Sequence, residues 1–88
     1  MIRLLILTIH RVLRQQWMRD TYTVHEYLTP GGDPYLMIDY NRSRKRLHWL
    51  KSFLKTLCTD DAKGLGVHMN FRPLRGNMLV YFHMQPTN

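Results

Sequence analysis

Residues 39–58 read D-Y-N-R-S-R-K-R-L-H-W-L-K-S-F-L-K-T-L-C. At helical spacing Leu47, Leu50, Leu54 and Leu57 fall on one side, with Phe53 beside them. Arg44, His48, Lys51 and Lys55 follow one another at i, i+4, i+7 and i+11 on a separate side. The spacing predicts an amphipathic helix with an apolar stripe to bury and a basic stripe to show to water. Asn41 or Ser43 supplies its N-cap, and Thr59, Asp60, Asp61 and Gly64 are expected to end it. Six Lys or Arg and no acidic residue occur between positions 42 and 55. One helix is therefore both the main core element and the strongest electrostatic feature.

Toward the C-terminus, Val67, Met69 and Phe71 alternate with His68, Asn70 and Arg72. After Pro73-Leu74-Arg75-Gly76-Asn77, the residues Met78, Val80, Phe82 and Met84 alternate with Leu79, Tyr81 and His83. An even loop centred on Arg75-Gly76 sets Phe71 opposite Val80 and Met69 opposite Phe82. A slip of one residue would turn one apolar set to water, so this parity is favoured. It also sets His68 across from His83, Asn70 from Tyr81 and Arg72 from Leu79, on the face away from the core.

Toward the N-terminus, residues 35–40 (Y-L-M-I-D-Y) and 21–28 (T-Y-T-V-H-E-Y-L) read as a second hairpin. The turn formers Thr29-Pro30-Gly31-Gly32-Asp33-Pro34 separate them. Residues 2–18 carry Ile2, Leu5, Ile6, Ile9, Val12, Leu13 and Trp17 at helical spacing, with Arg3, His10 and Arg14 on another face. The competing reading is a strand over residues 2–9 followed by a shorter helix. Leu4, Leu7 and Met18 fall on the outer side of the helix as an apolar contact strip. The whole reads as α+β, in the order α-ββ-α-ββ: a four-stranded antiparallel sheet with two helices on one face. It is a single basic domain over residues 1–88, with residues 84–88 as a frayed tail.

A chain of 88 residues buries only about 60–65% of its unfolded surface, so its margin of stability is thin. The net charge of +7 bears on partners rather than on fold. It points to nucleic acid first, then an anionic membrane surface, then an acidic protein surface. The lone Cys58 leaves no internal disulfide or multi-cysteine zinc site and fits a reducing, cytoplasmic setting. The longest apolar run, residues 4–9, is too short to span a bilayer. There is no Gly-rich phosphate loop and no nucleophile elbow. Six scattered acids do not supply the converging carboxylates of a two-metal nuclease. No cofactor and no metal site is expected.

The expected nucleic-acid-binding residues are Arg42, Arg44, Lys45, His48, Lys51 and Lys55 in the helical stretch, and His68, Arg72, Tyr81 and His83 on the sheet. Cations at helical spacing can track phosphates, and rings on an open sheet can stack on unpaired bases. The plainer readings are a solvated helix face and a sheet face covered by the first helix. Three function classes follow. The first is a non-enzymatic nucleic-acid-binding domain. The second is a protein-binding regulator or inhibitor of the viral or mobile-element accessory type, docking through Leu4, Leu7 and Met18. The third is a metal-independent ribonuclease built on the histidine pair. A homodimer is a further expectation.

Overall fold

The structure, a computed structural model, describes residues 1–86. Alternation and helical periodicity resolve into α1 (Ile2–Leu13), β1 (Thr23–Leu28), β2 (Pro34–Asp39), α2 (Arg44–Thr56), β3 (Val67–Leu74) and β4 (Asn77–Met84). This is the expected α-ββ-α-ββ order. The strands form one antiparallel sheet in the order β1-β2-β4-β3. Leu36 and Ile38 of β2, Met78, Val80 and Phe82 of β4, and Val67 and Met69 of β3 point to one side. There they are buried with Leu5, Ile6, Ile9 and Leu13 of α1 and Leu50 and Leu54 of α2. Both helices therefore cover the same face, and the other face is open.

The last hairpin has the register that alternation requires. Phe71 faces Val80, Met69 faces Phe82 and His68 faces His83, with Arg75-Gly76 as a two-residue turn. Both turn residues have positive φ, 50° and 86°, as a type I′ turn demands. Met84, expected in a frayed tail, is instead the last residue of β4, and the Gln85 N–H donates to the Gly66 carbonyl at 2.9 Å. Pairing with β3 holds this end in place. Pro86 follows the strand and is exposed, and the last two residues of the expected tail, Thr87 and Asn88, lie outside the described residues.

Ser43 is the N-cap of α2. Its backbone is extended, and its Oγ accepts a hydrogen bond from the Arg46 N–H at 3.4 Å. The bond is long, so Ser43→Ala should cost about 0.5–1 kcal/mol, the lower part of the range for lost caps. A thermal melt against the parent checks this.

The helical path does not stop at Thr59. It continues through a π-turn (Leu57–Asp61) and a last α-turn (Ala62–Gly64). The reason lies in the core stripe. Leu50, Leu54 and Leu57 are buried, and an unbroken α-helix would bring Asp61 to the same stripe next. The residue added by the π-turn shifts the phase, so that Ala62 is buried and Asp61 is exposed. A carboxylate is thereby kept out of a core that has no partner for it.

The first helix ends earlier than its periodicity suggests. The chain leaves α1 after Leu13 and passes through turns, with Met18 N–H donating to the Gln15 carbonyl at 2.7 Å. This reverses two expectations. Met18, expected on the outer contact strip, is 2% exposed and part of the core, whereas Trp17, expected in the core, is 69% exposed. Leu4 and Leu7 do lie outside, at 52% and 49%. No Gly or Pro marks the break. Seating Met18 under the helix end outweighs the helix propensity of Arg14, Gln15 and Gln16. Among the described residues, no helix is long and apolar enough to cross a membrane.

Candidate nucleic-acid interface

Burying Leu50 and Leu54 against the sheet turns the opposite side of α2 outward. Arg44, Lys45, His48, Lys51 and Lys55 are all exposed there. The first turn of α2 contains Arg44, Lys45 and Arg46 and no acid. Cations at the positive end of a helix dipole oppose helix stability, so helix formation does not account for their placement. Nor are they neutralised. Of thirteen Lys and Arg, Arg3 alone, among the described residues, pairs with a carboxylate. Its guanidinium donates two hydrogen bonds to Glu26, at 2.9 and 2.8 Å, clipping α1 to β1 and holding the Glu26 pKa below the ordinary value.

Arg42 does not belong to this stripe. It precedes α2 in a turn where it and Asn41 have positive φ, 57° and 55°. Its side chain lies against Gly76, in a hollow with Asp39, Asn41, Arg75 and Asn77. That places Arg42 beside the β3–β4 turn at one end of the sheet.

The open face of the sheet carries His68, Asn70, Arg72, Tyr81 and His83, and neither helix covers it. It also carries two residues that the sequence reading did not single out. Tyr27, Tyr35, Tyr81 and Asn70 form one row across all four strands. The rings of Tyr27 and Tyr35 are 5.6 Å apart and those of Tyr35 and Tyr81 are 5.4 Å apart, with small interplanar angles. The Arg72 guanidinium lies 6.0 Å from the centre of the Tyr81 ring. Tyr35 and Tyr81 therefore stack on one another, Tyr27 is tilted against Tyr35, and Tyr81 has a ring on one neighbour and a cation on another. In the next row Met37 and Leu79 lie between His25 and Arg72. This face offers hydroxyls, imidazoles and one guanidinium, but its stacking surface is largely used internally.

The helix stripe and the open sheet face were expected to act together. They look out on opposite sides of a two-layer molecule whose Cα atoms span 41 × 27 × 19 Å. A nucleic-acid segment on one side must pass around an edge to reach the other.

A third feature lies where the loop after α1 meets α2. Trp17 and Trp49 meet edge to face, with centroids 6.3 Å apart. Trp49 also stacks on Phe53 at 5.3 Å and leans on Tyr22 at 5.7 Å. Tyr22 is buried, and its hydroxyl donates to the Arg46 carbonyl at 3.0 Å; burial raises its pKa. Trp17, Trp49 and Tyr22 wall a cleft of about 260 Å³ with Met18, Thr21, Lys45 and Arg46. A signal for it was present in α2, where Lys45, Trp49 and Phe53 recur at i, i+4 and i+8 as a stripe between core and solvent. The exposure of Trp17 had no such signal.

Burial raises the Cys58 pKa, which keeps the thiol protonated near neutrality. Burial, then Arg14, lowers the His10 pKa. Among the described residues no three His, Cys, Asp or Glu side chains converge as metal ligands would. Compared with family models, with curated proteins and with solved structures, the chain gives no match.

Proposed function

We propose that the protein is a non-enzymatic nucleic-acid-binding domain that holds the phosphate backbone along the outer side of α2. The carrying observation is the unneutralised row Arg44, Lys45, Lys51 and Lys55. It begins at the helix end where cations are least favourable and where an anion is best received. Each phosphate neutralised releases a condensed counterion, so binding weakens steeply as salt rises.

The test is the slope of log affinity against log salt for a random single strand and a random duplex. Replacing Arg44, Lys51 and Lys55 together with Ala should lower the slope by about 2–3 while leaving circular dichroism unchanged, since all three side chains are exposed. A triple variant that keeps the parent slope would overturn the reading. The regulator reading retains Leu4 and Leu7 but not Met18, which is in the core. The ribonuclease reading retains the facing histidines, on an exposed strand end rather than in a recess that would hold a phosphate between them.

A further inference from the structure

We infer that the cleft between Trp17 and Trp49 receives an unpaired base, which makes single-stranded nucleic acid the preferred ligand of the basic helix. This rests on the reading of α2 as a phosphate-binding surface and adds what that surface does not supply, a way to tell a single strand from a duplex.

Four observations converge on the cleft. Trp17 is the most exposed of the large hydrophobic side chains, at 69%. Trp49 is already packed on Phe53 and Tyr22, but Trp17 makes only the edge-to-face contact with Trp49 among the described rings, so flat Trp17 surface stays open to a ligand. The cleft's lining contains Lys45 and Arg46 and no acid, and Lys45 also belongs to the phosphate-tracking row of the same helix. At about 260 Å³ it is smaller than the roughly 300 Å³ where pockets for whole drug-sized molecules begin, which suits a single ring system.

The chemistry of the walls also sets what the cleft does not do. The Tyr22 hydroxyl is committed to the Arg46 carbonyl, and beside the rings and the buried Met18 the polar lining is Thr21, Lys45 and Arg46. Little is left to read the hydrogen-bonding edge of a base. Recognition is by stacking, which every base permits. A base inside a duplex is already stacked on both sides and cannot enter. The sheet face competes less well for this role, because Tyr35 has a ring on either side, stacked on Tyr81 and tilted against Tyr27.

Both of the protein's tryptophans wall the cleft, so tryptophan fluorescence reports on the cleft alone. Short poly-dT, a duplex of equal length and polyphosphate are titrated at equal occupancy, with occupancy read by the anisotropy of a labelled strand and by its competition. Poly-dT should quench the fluorescence, whereas the duplex and polyphosphate, which offer charge but no free base, should not. Trp17→Ala should weaken poly-dT binding about five- to one-hundred-fold, the loss of one stacked base. It should leave the duplex affinity and both salt slopes unchanged, and Trp17→Phe should retain most of the single-strand affinity. The inference is overturned if Trp17→Ala weakens strand and duplex alike, if it lowers only the melting temperature, or if polyphosphate quenches as poly-dT does. In those cases salt-dependent binding persists and the reading of α2 stands. If neither nucleic acid binds in a salt-dependent way, both fall together.

Discussion

Leu50→Ala is expected to remove about 2–5 kcal/mol of folding stability, among the largest effects of a single substitution in α2. Leu50 is fully buried in the middle of the helix, within the cluster that joins α1, α2 and the sheet. Truncating it loses the transfer energy of the side chain and leaves a cavity that neighbours on three elements cannot all collapse into. At about 0.05–0.15 kcal/mol per residue, a chain of this length has roughly 4–13 kcal/mol in total, so the variant sits near the edge of unfolding. A urea titration should show the midpoint falling with little change in slope. Lys51→Ala, one position along and exposed, should stay within about 0.5 kcal/mol of the parent and instead reduce the salt dependence of binding. The pair separates the two stripes of the helix, one holding the fold and the other the ligand. Equal stability losses at both positions would mean that α2 is rotated from the orientation described here.

How much of this was legible in the sequence differs from element to element. The parity of the last hairpin was strongly favoured, because alternation over Val67, Met69 and Phe71 and over Met78, Val80 and Phe82 buries both sets in one parity only, and the Arg75-Gly76 turn then sets the register. The tyrosine row was legible in principle, since Tyr27 and Tyr35 are equidistant from Gly31 and so face each other across the first hairpin. The π-turn was not legible by pattern alone. Helical spacing places Asp61 on the core stripe, and only the cost of burying it reveals that the phase must shift there.

The reversal of Trp17 and Met18 was hidden for a different reason. Periodicity assumes one continuous helix, and nothing in Arg14-Gln15-Gln16 ends a helix locally. The decision is tertiary, and it leaves the larger side chain outside. A local preference overridden in this way, with a tryptophan left in water, is the kind of conflict found where function competes with folding. The opposition of the basic stripe and the open sheet face was likewise invisible until the layers were assembled, because helical spacing says which residues share a side and not where that side points.

Gly76→Ala is the second substitution expected to act strongly, by about 1–3 kcal/mol, and its effect divides into two measurable parts. Gly76 has φ of 86° in the β3–β4 turn, where any L side chain meets its own backbone at a cost of about 1–2 kcal/mol. In addition, a Cβ there would lie 2.6 Å from Arg42 Cγ, close to a backbone that is itself held at φ of 57° and has little freedom to yield. Gly66 provides the control. It has φ of 70°, but nothing lies within 4 Å of where its Cβ would be, so Gly66→Ala carries the conformational cost without the clash. Arg42→Ala removes the Cγ, so the double variant Arg42→Ala/Gly76→Ala should lose less stability than the sum of the two single variants. The interaction energy from the double-mutant cycle should be of the order of 0.5–3 kcal/mol. The Tyr40 N–H donates to the Gly76 carbonyl at 3.3 Å, so a turn displaced to relieve the clash also loosens the end of β2. Chemical denaturation of the four variants gives every term. Additive losses in the cycle, or a Gly66→Ala loss equal to that of Gly76→Ala, would show that Arg42 does not brace the turn that sets the register of the sheet.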